Sequence, residues 1–272
     1  MSIEDFEDII YEKEADTGIC TITISRPERR NAVTYISFYE IQQALEDMEK
    51  DKNAKVLIIT GDPKGDAFTS GGYFKKEMFH NMKKYPDIDL MDIAQKKLCL
   101  KLWDFNKPVI AAINGMAIGG GVTMPMVGAD LIYMAEDAWL GFFFSRRGII
   151  PEFANCFILP FLIGFQKAKE IFYFGKKVTA QEAFDLGLIN KVLPKEELIP
   201  YAREQALRLV PPKGPILSIK LMKKTMHAYF GDILSKTLDL ENKALRKLFS
   251  SHDFKESMQA LKEKRDAVFI GR

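Results

Sequence analysis

The sequence is poor in the residues that build metal centres and disulfide frameworks. Its histidines, His80, His227 and His252, are scattered and form no metal signature. Cys20, Cys99 and Cys156 are odd in number and lack motif spacing, so reduced core thiols are expected. Charge of one sign is also missing: 39 Lys+Arg against 37 Asp+Glu leave a net charge of +2, which gives no electrostatic reason to expect nucleic acid or a membrane surface. No apolar run reaches the ~18 residues needed to cross a bilayer. The longest candidate, residues 157–165, is interrupted by Pro160. There is no repeat, low-complexity tract or linker. Met1-Ser2-Ile3-Glu4-Asp5 is acidic rather than signal-like, and Ile270-Gly271-Arg272 carries no peroxisomal address. A cytoplasmic protein is the expectation.

At 272 residues with 47% hydrophobic content, the chain can bury a full core, and one domain with a small appendage is expected. Residues 6–12 and 19–25 read as a hairpin around Asp16-Thr17-Gly18. Ile36, Tyr39, Ile41, Leu45 and Met48 give residues 35–50 helical spacing, and residues 90–105 also read as helix. Residues 56–60, 109–113 and 130–134 read as buried strands, with a helix opening at Gly120. The polar, methionine-bearing residues 75–92, broken by Pro86, fit a segment over a pocket better than core. From Gln166 onward the pattern is almost purely helical, with turns at Gly175, Gly187 and Pro211-Pro212. Strands alternating with helices, then a helical tail, predict an α/β core over 1–205 and an α-helical subdomain over 206–272. Most lysines of that tail are expected on solvated faces.

Two glycine clusters carry the chemistry. Phe68-Thr69-Ser70-Gly71-Gly72 and Gly119-Gly120-Gly121 each follow an apolar, β-branched stretch and precede a helix-like one. Glycine lets backbone approach a ligand, and a helix start offers unpaired N–H donors. A donor pair aimed at one point forms an oxyanion hole. Read alone, either cluster is equally a tight strand-to-helix turn.

With its surroundings, the chain resembles the crotonase (enoyl-CoA hydratase/isomerase) superfamily over about residues 6–270. The resemblance rests on Arg26-Pro27-Glu28-Arg29-Arg30-Asn31-Ala32, on residues 67–75, on Lys107-Pro108 through Asp130, and on residues 175–189. It implies a spiral of β-β-α units with a helical C-terminal trimerisation region, usually a homotrimer or a dimer of trimers. It implies an acyl-CoA thioester as ligand, with no separate cofactor. By position, the N–H groups of Gly72 and Gly120 would hold the thioester oxygen, while Ser70 and Gly71 would line the pantetheine channel. Lys75 would lie near the CoA phosphates, Arg29 or Arg30 near the nucleotide, and Lys264 would reach the adenine end from a neighbouring subunit. Where the family often has Asp, this chain has Tyr73.

The chain departs from the family's hydratases where they hold water between two glutamates: here stand Thr123 and Phe144, which cannot replace a carboxylate pair. An acid appears instead at Glu152, in Gly148-Ile149-Ile150-Pro151-Glu152-Phe153. The resemblance matches this position to the proton-transferring glutamate of Δ3,Δ2-enoyl-CoA isomerases, and to a nucleophilic aspartate in aryl-CoA dehalogenases. One carboxylate can remove a proton at C2 and return it at C4. Flanked by apolar segments, Glu152 is expected to be buried with a raised pKa; a helix-capping role is the plainer alternative. From Phe142, Phe143, Phe144, Trp139, Met116, Met124 and Met126, some side chains should line an acyl pocket. A buried Arg146 or Arg147 beside Glu152 would oppose its pKa rise. An enoyl-CoA double-bond shift through Glu152 is the leading expectation. Hydration of a cyclic or otherwise unusual enoyl-CoA through the same group is the alternative, and a non-catalytic acyl-CoA or RNA binder the reading from another class.

Overall fold

The computed structural model describes residues 3–73 and 85–272. The first 16-residue helix shows how local sequence sets an element. Thr34 caps α1 (Tyr35–Lys50) by accepting from the Ile36 and Ser37 amides, and the Ser37 side chain returns the bond to the Thr34 N–H. Ile36, Ile41, Ala44, Leu45 and Met48 then form its buried stripe.

The strands divide between two sheets. The larger has six strands in the order β1-β2-β3-β5-β7-β10, formed by Ile9–Lys13, Ile19–Ile24, Val56–Gly61, Val109–Ile113, Leu131–Ala135 and Lys191–Leu193. Only β1–β2 is antiparallel, the hairpin expected from the sequence, with Ile9 opposite Ile24. The remaining pairings are parallel, and β3 and β5 are buried along their whole length, as sheets covered on both faces require. The smaller sheet has four strands in the order β4-β6-β8-β9, formed by Ala67–Thr69, Met116–Ile118, Trp139–Gly141 and Lys177–Thr179.

Chain order turns this division into a spiral. β3 enters the large sheet, β4 the small one, and α2 (Lys96–Asp104) follows. β5, β6 and α3 (Gly120–Gly128) repeat the step, and β7 and β8 lead on to α4 (Asn155–Ile163). These are the expected β-β-α units. α3 is buried on every side, as its composition, apolar apart from Thr123, demands. α5 (Phe165–Phe174), α6 (Ala180–Asp185) and α7 (Lys195–Leu209) follow, and α8 (Ile216–His227), α9 (Gly231–Phe249) and α10 (His252–Glu263) form the helical C-terminal region.

Two sequence expectations need correction, and a third cannot be compared. The region after Gln166 is not purely helical, because β9 and β10 add short strands to the two sheets. Each has three residues, too few to show an alternating pattern. The helix expected from residue 90 starts at Lys96, because Gln95 is left-handed (φ 57°) and Asp92 caps the new start by accepting from the Lys96 and Lys97 amides. The overhanging segment expected at 75–92 lies, up to residue 84, outside the described residues.

Candidate active site

The two glycine loops meet because their glycines allow it. Gly71 is left-handed (φ 92°), and a Cβ there would fall 2.8 Å from the Ile118 carbonyl oxygen. A Cβ on Gly121 would fall 2.3 Å from Thr69 Cγ2. These glycines therefore seat one loop on the other rather than admitting a ligand. Gly72 and Gly120 present the free donors. Val33 bridges the first loop by donating to Gly71 O (3.0 Å) and accepting from the Tyr73 amide (2.8 Å), which leaves the Gly72 N–H pointing away. Gly120 opens α3, where no intrahelical acceptor exists. Among the described residues, neither N–H has a protein acceptor, and both glycines line one cavity of about 360 Å³.

Glu152 stands on the wall of that cavity. Its Oε1 would lie 3.5 Å from a Cβ on Gly120, so its carboxyl sits against the start of α3. Thr123 Oγ1, one turn into the helix, lies 2.9 Å from the same oxygen and 3.2 Å from Gly119 O. Glu152 is half-buried, with a window on the cavity and protein around the rest. Burial pushes its pKa up to about 7, against the Thr123 hydrogen bond and its own backbone N–H, which favour the anion. No arginine opposes the rise. Among the described residues lining the cavity, Glu152 is the sole carboxylic acid.

Glu152 is not a helix cap. Phe153 and Ala154 are both left-handed (φ 55° and 56°), and α4 begins only at Asn155. Consecutive left-handed non-glycine residues are strained, so neighbours must hold them. The support comes from 87 residues further along the chain: buried Glu241 of α9 accepts from the Ala154 amide at 2.8 Å and the Cys156 amide at 2.9 Å. Burial pushes the Glu241 carboxyl up to about 8, with Glu152 adding. The adjacent Asn242 accepts from the Ala94 amide (2.8 Å), and Ala94 in turn accepts from the Phe153 amide (3.2 Å). Asn155 Nδ2 donates to Thr123 O at 3.0 Å, tying the turn back to α3. Sequence reasoning missed Glu241, Asn242 and the partnership of Thr123. A buried Glu-Asn pair inside the amphipathic α9 was its one available signal.

Of the expected site residues, the cavity brings together Ser70, Gly71, Gly72, Gly120, Phe144 and Glu152. Phe144 is buried and packs edge-on against Phe172. Arg29 and Arg30 are exposed beside the cavity rather than on its wall: Ser70 Oγ donates to Arg29 O, Arg30 O accepts from the Ser70 amide, and the Arg29 guanidinium lies 5.6 Å from the Tyr73 ring centre. Lys264 is exposed just past α10 and does not reach the cavity of its own chain. Lys75 lies outside the described residues. Of the apolar set, Phe143 and Phe144 line the cavity, whereas Phe142, Met124 and Met126 are core. The opposite wall comes from α1 and the C-terminal helices: Phe38, Leu245, Phe249, Phe254, Met258 and Leu261.

The sequence profile of the enoyl-CoA hydratase/isomerase family matches residues 14–272. The chain is 34% identical over 268 residues to the crotonyl-CoA hydratase of Syntrophomonas wolfei, covering 98% of this chain and 99% of that one. It is 28% identical over 258 residues to the 1,2-epoxyphenylacetyl-CoA isomerase of Escherichia coli, covering 94% and 97%. The solved enoyl-CoA hydratase/isomerase of Pseudoalteromonas atlantica superimposes with a TM-score of 0.85 over 97% of this chain and all of that one, at 24% identity, a likeness of fold.

Proposed function

The chain belongs to the enoyl-CoA hydratase/isomerase family of the crotonase superfamily, and from that premise we propose that it shifts the double bond of an enoyl-CoA thioester through Glu152 alone. The observation that carries this reading is a cavity with two free backbone donors, Gly72 and Gly120, and a single acid, Glu152, among its described lining residues. The Glu152 carboxylate takes a proton from C2 of a 3-enoyl-CoA. The electron pair moves onto the thioester oxygen, where the two N–H groups hold the dienolate without reorganising; a donor of this kind is worth roughly 2.7–4 kcal/mol. The carboxylic acid then returns the proton to C4, giving the 2-enoyl-CoA and restoring the carboxylate. A pKa of about 7 suits a group that must first accept and then donate. Thr123 Oγ1 holds the Glu152 carboxyl against the start of α3 while it takes and returns the proton.

Hydration through Glu152 is the second reading, favoured by the 34% identity to a protein named crotonyl-CoA hydratase. Against it, Thr123 and Phe144 supply no second carboxyl to share a water. Incubation of 3-enoyl-CoA and crotonyl-CoA thioesters in D₂O, followed by mass spectrometry, separates the two. Isomerisation is expected to outpace hydration, with partial deuterium uptake at C4 because one carboxyl both takes and returns the proton. Faster hydration of crotonyl-CoA than isomerisation of any 3-enoyl-CoA would put the second reading first.

A further inference from the structure

We propose that Arg147 receives an acidic group carried by the acyl part of the substrate, so that this enzyme acts on enoyl-CoA thioesters bearing a second carboxylate. The inference rests on reading the cavity as the thioester site. Arg147 ends the short 3₁₀ turn Ser145–Arg147, and its backbone has little freedom. Its N–H donates to Phe144 O at 2.9 Å, and its carbonyl accepts from Ser257 Oγ of α10 at 3.0 Å. Gly148 follows in a left-handed conformation (φ 64°), packed so closely on Asp253 that a Cβ would meet its carbonyl carbon at 3.1 Å. The two arginines of the turn part company. Arg146 is exposed over the Phe143 ring at 4.9 Å, whereas Arg147 is half-buried on the cavity wall with Phe144, Ile149 and Glu152.

No acid pairs with Arg147 among the described residues. Asp253 is engaged by the Ile270 and Gly271 amides at 2.8 and 2.9 Å, and Glu152 by Thr123. Burial, with Arg146 adding, lowers the pKa of the Arg147 guanidinium from its usual value, but an arginine stays charged at neutral pH. Glu152 is partly neutral there. Among the described lining residues Arg147 is the one basic side chain, set in a largely apolar wall, and a charge partly withdrawn from water is costly until an anion completes it. The planar guanidinium fork matches a carboxylate. The phosphates of CoA are the competing source of negative charge. The family resemblance places the nucleotide beside Arg29 and Arg30, outside the cavity, whereas Arg147 shares its wall with Glu152 and Phe144, which favours the acyl end.

Calorimetric titration with saturated thioesters tests this without any reaction at Glu152. The probes are ω-carboxyacyl-CoAs from succinyl- to suberyl-CoA, each matched with the monocarboxylic acyl-CoA of equal length, and CoA alone. The wild-type protein is expected to prefer at least one carboxylated member. Arg147→Leu should weaken that member by about 30-fold or more, and Arg147→Lys by less, because lysine keeps the charge but loses the fork. The folding midpoint should hold or rise in Arg147→Leu, since a desolvated charge has been removed. Absence of any preference in the wild type would overturn the proposal. So would equal weakening of matched pairs and of CoA alone, which would assign Arg147 to a phosphate. Turnover retained by Glu152→Gln would instead refute the proposed reaction and leave the binding preference standing.

Discussion

At the scale of single residues, the chemistry converges on one oxygen. Glu152 Oε1 lies against Gly120 and accepts from Thr123 Oγ1, and burial sets its pKa near 7. Glu152→Gln keeps the shape and removes the proton acceptor. Turnover should fall by roughly 10²–10⁴ while thioester affinity and thermal stability stay near wild type. A variant retaining a tenth of the activity would move the base elsewhere. Thr123→Val tests the hydrogen bond by its sign. The hydroxyl stabilises the anion and so lowers the pKa, and its loss must raise it. The rising limb of the pH–rate profile, expected near pH 7 in the wild type, should therefore move to higher pH in the variant. A limb that stays put would mean that Thr123 bonds to Gly119 O rather than to Glu152 in solution.

At the scale of elements, the turn after Glu152 depends on a helix from the far end of the chain. Glu241 caps α4 where Ala154 cannot, and Asn242 secures the loop that leads into α2. Glu241→Ala would leave the buried Ala154 amide and the part-buried Cys156 amide without acceptors, at about 1–3 kcal/mol for the buried one and less for the other. Glu241→Gln retains one acceptor and should cost less. Chemical denaturation would give the stability order, wild type above Glu241→Gln above Glu241→Ala. If Glu241 positions Glu152, kcat should fall in both variants with a smaller change in KM, and amide exchange at Ala154 and Cys156 should quicken. Unchanged kcat beside lowered stability would confine Glu241 to the fold.

At the scale of the whole molecule, the helical C-terminal region carries both buried and exposed apolar residues. Leu234, Leu238 and Leu245 are buried within their own chain and close the core behind the cavity. Leu217, Leu221, Met226 and Tyr229 on and after α8 remain exposed, at 71%, 55%, 68% and 83%. An apolar surface of this kind marks an interaction site. With the family resemblance, it supports a homotrimer or a dimer of trimers built through these helices, with Lys264 delivered to a neighbouring cavity. Light scattering should show a mass above the monomer at micromolar concentration, and Leu217→Glu with Met226→Glu should reduce it. A wild-type monomer would refute both the assembly and the role of Lys264.

Much of this was legible in the sequence, because it depends on short-range chemistry. Hydrophobic spacing and a Thr-Ser cap determined α1; continuous apolar runs determined β3 and β5; a glycine opening a helix determined where the free Gly120 N–H appears. The presence of one acid at 152 and none at 123 or 144 determined which proton transfers are open. Tertiary structure decided the rest, for physical reasons of packing and solvation. Three-residue strands such as β9 and β10 have no pattern of their own and exist because a sheet edge offers hydrogen bonds. The left-handed turn after Glu152 violates local preference and stands because a distant carboxylate holds its amides. Arg146 and Arg147 are the same residue type side by side, and only tertiary contacts leave one exposed over Phe143 and the other on the cavity wall. Sequence determined which groups are available, since ionisation and hydrogen-bonding capacity belong to the residue; the fold decided which of them lose water and which meet, since desolvation and distance do not.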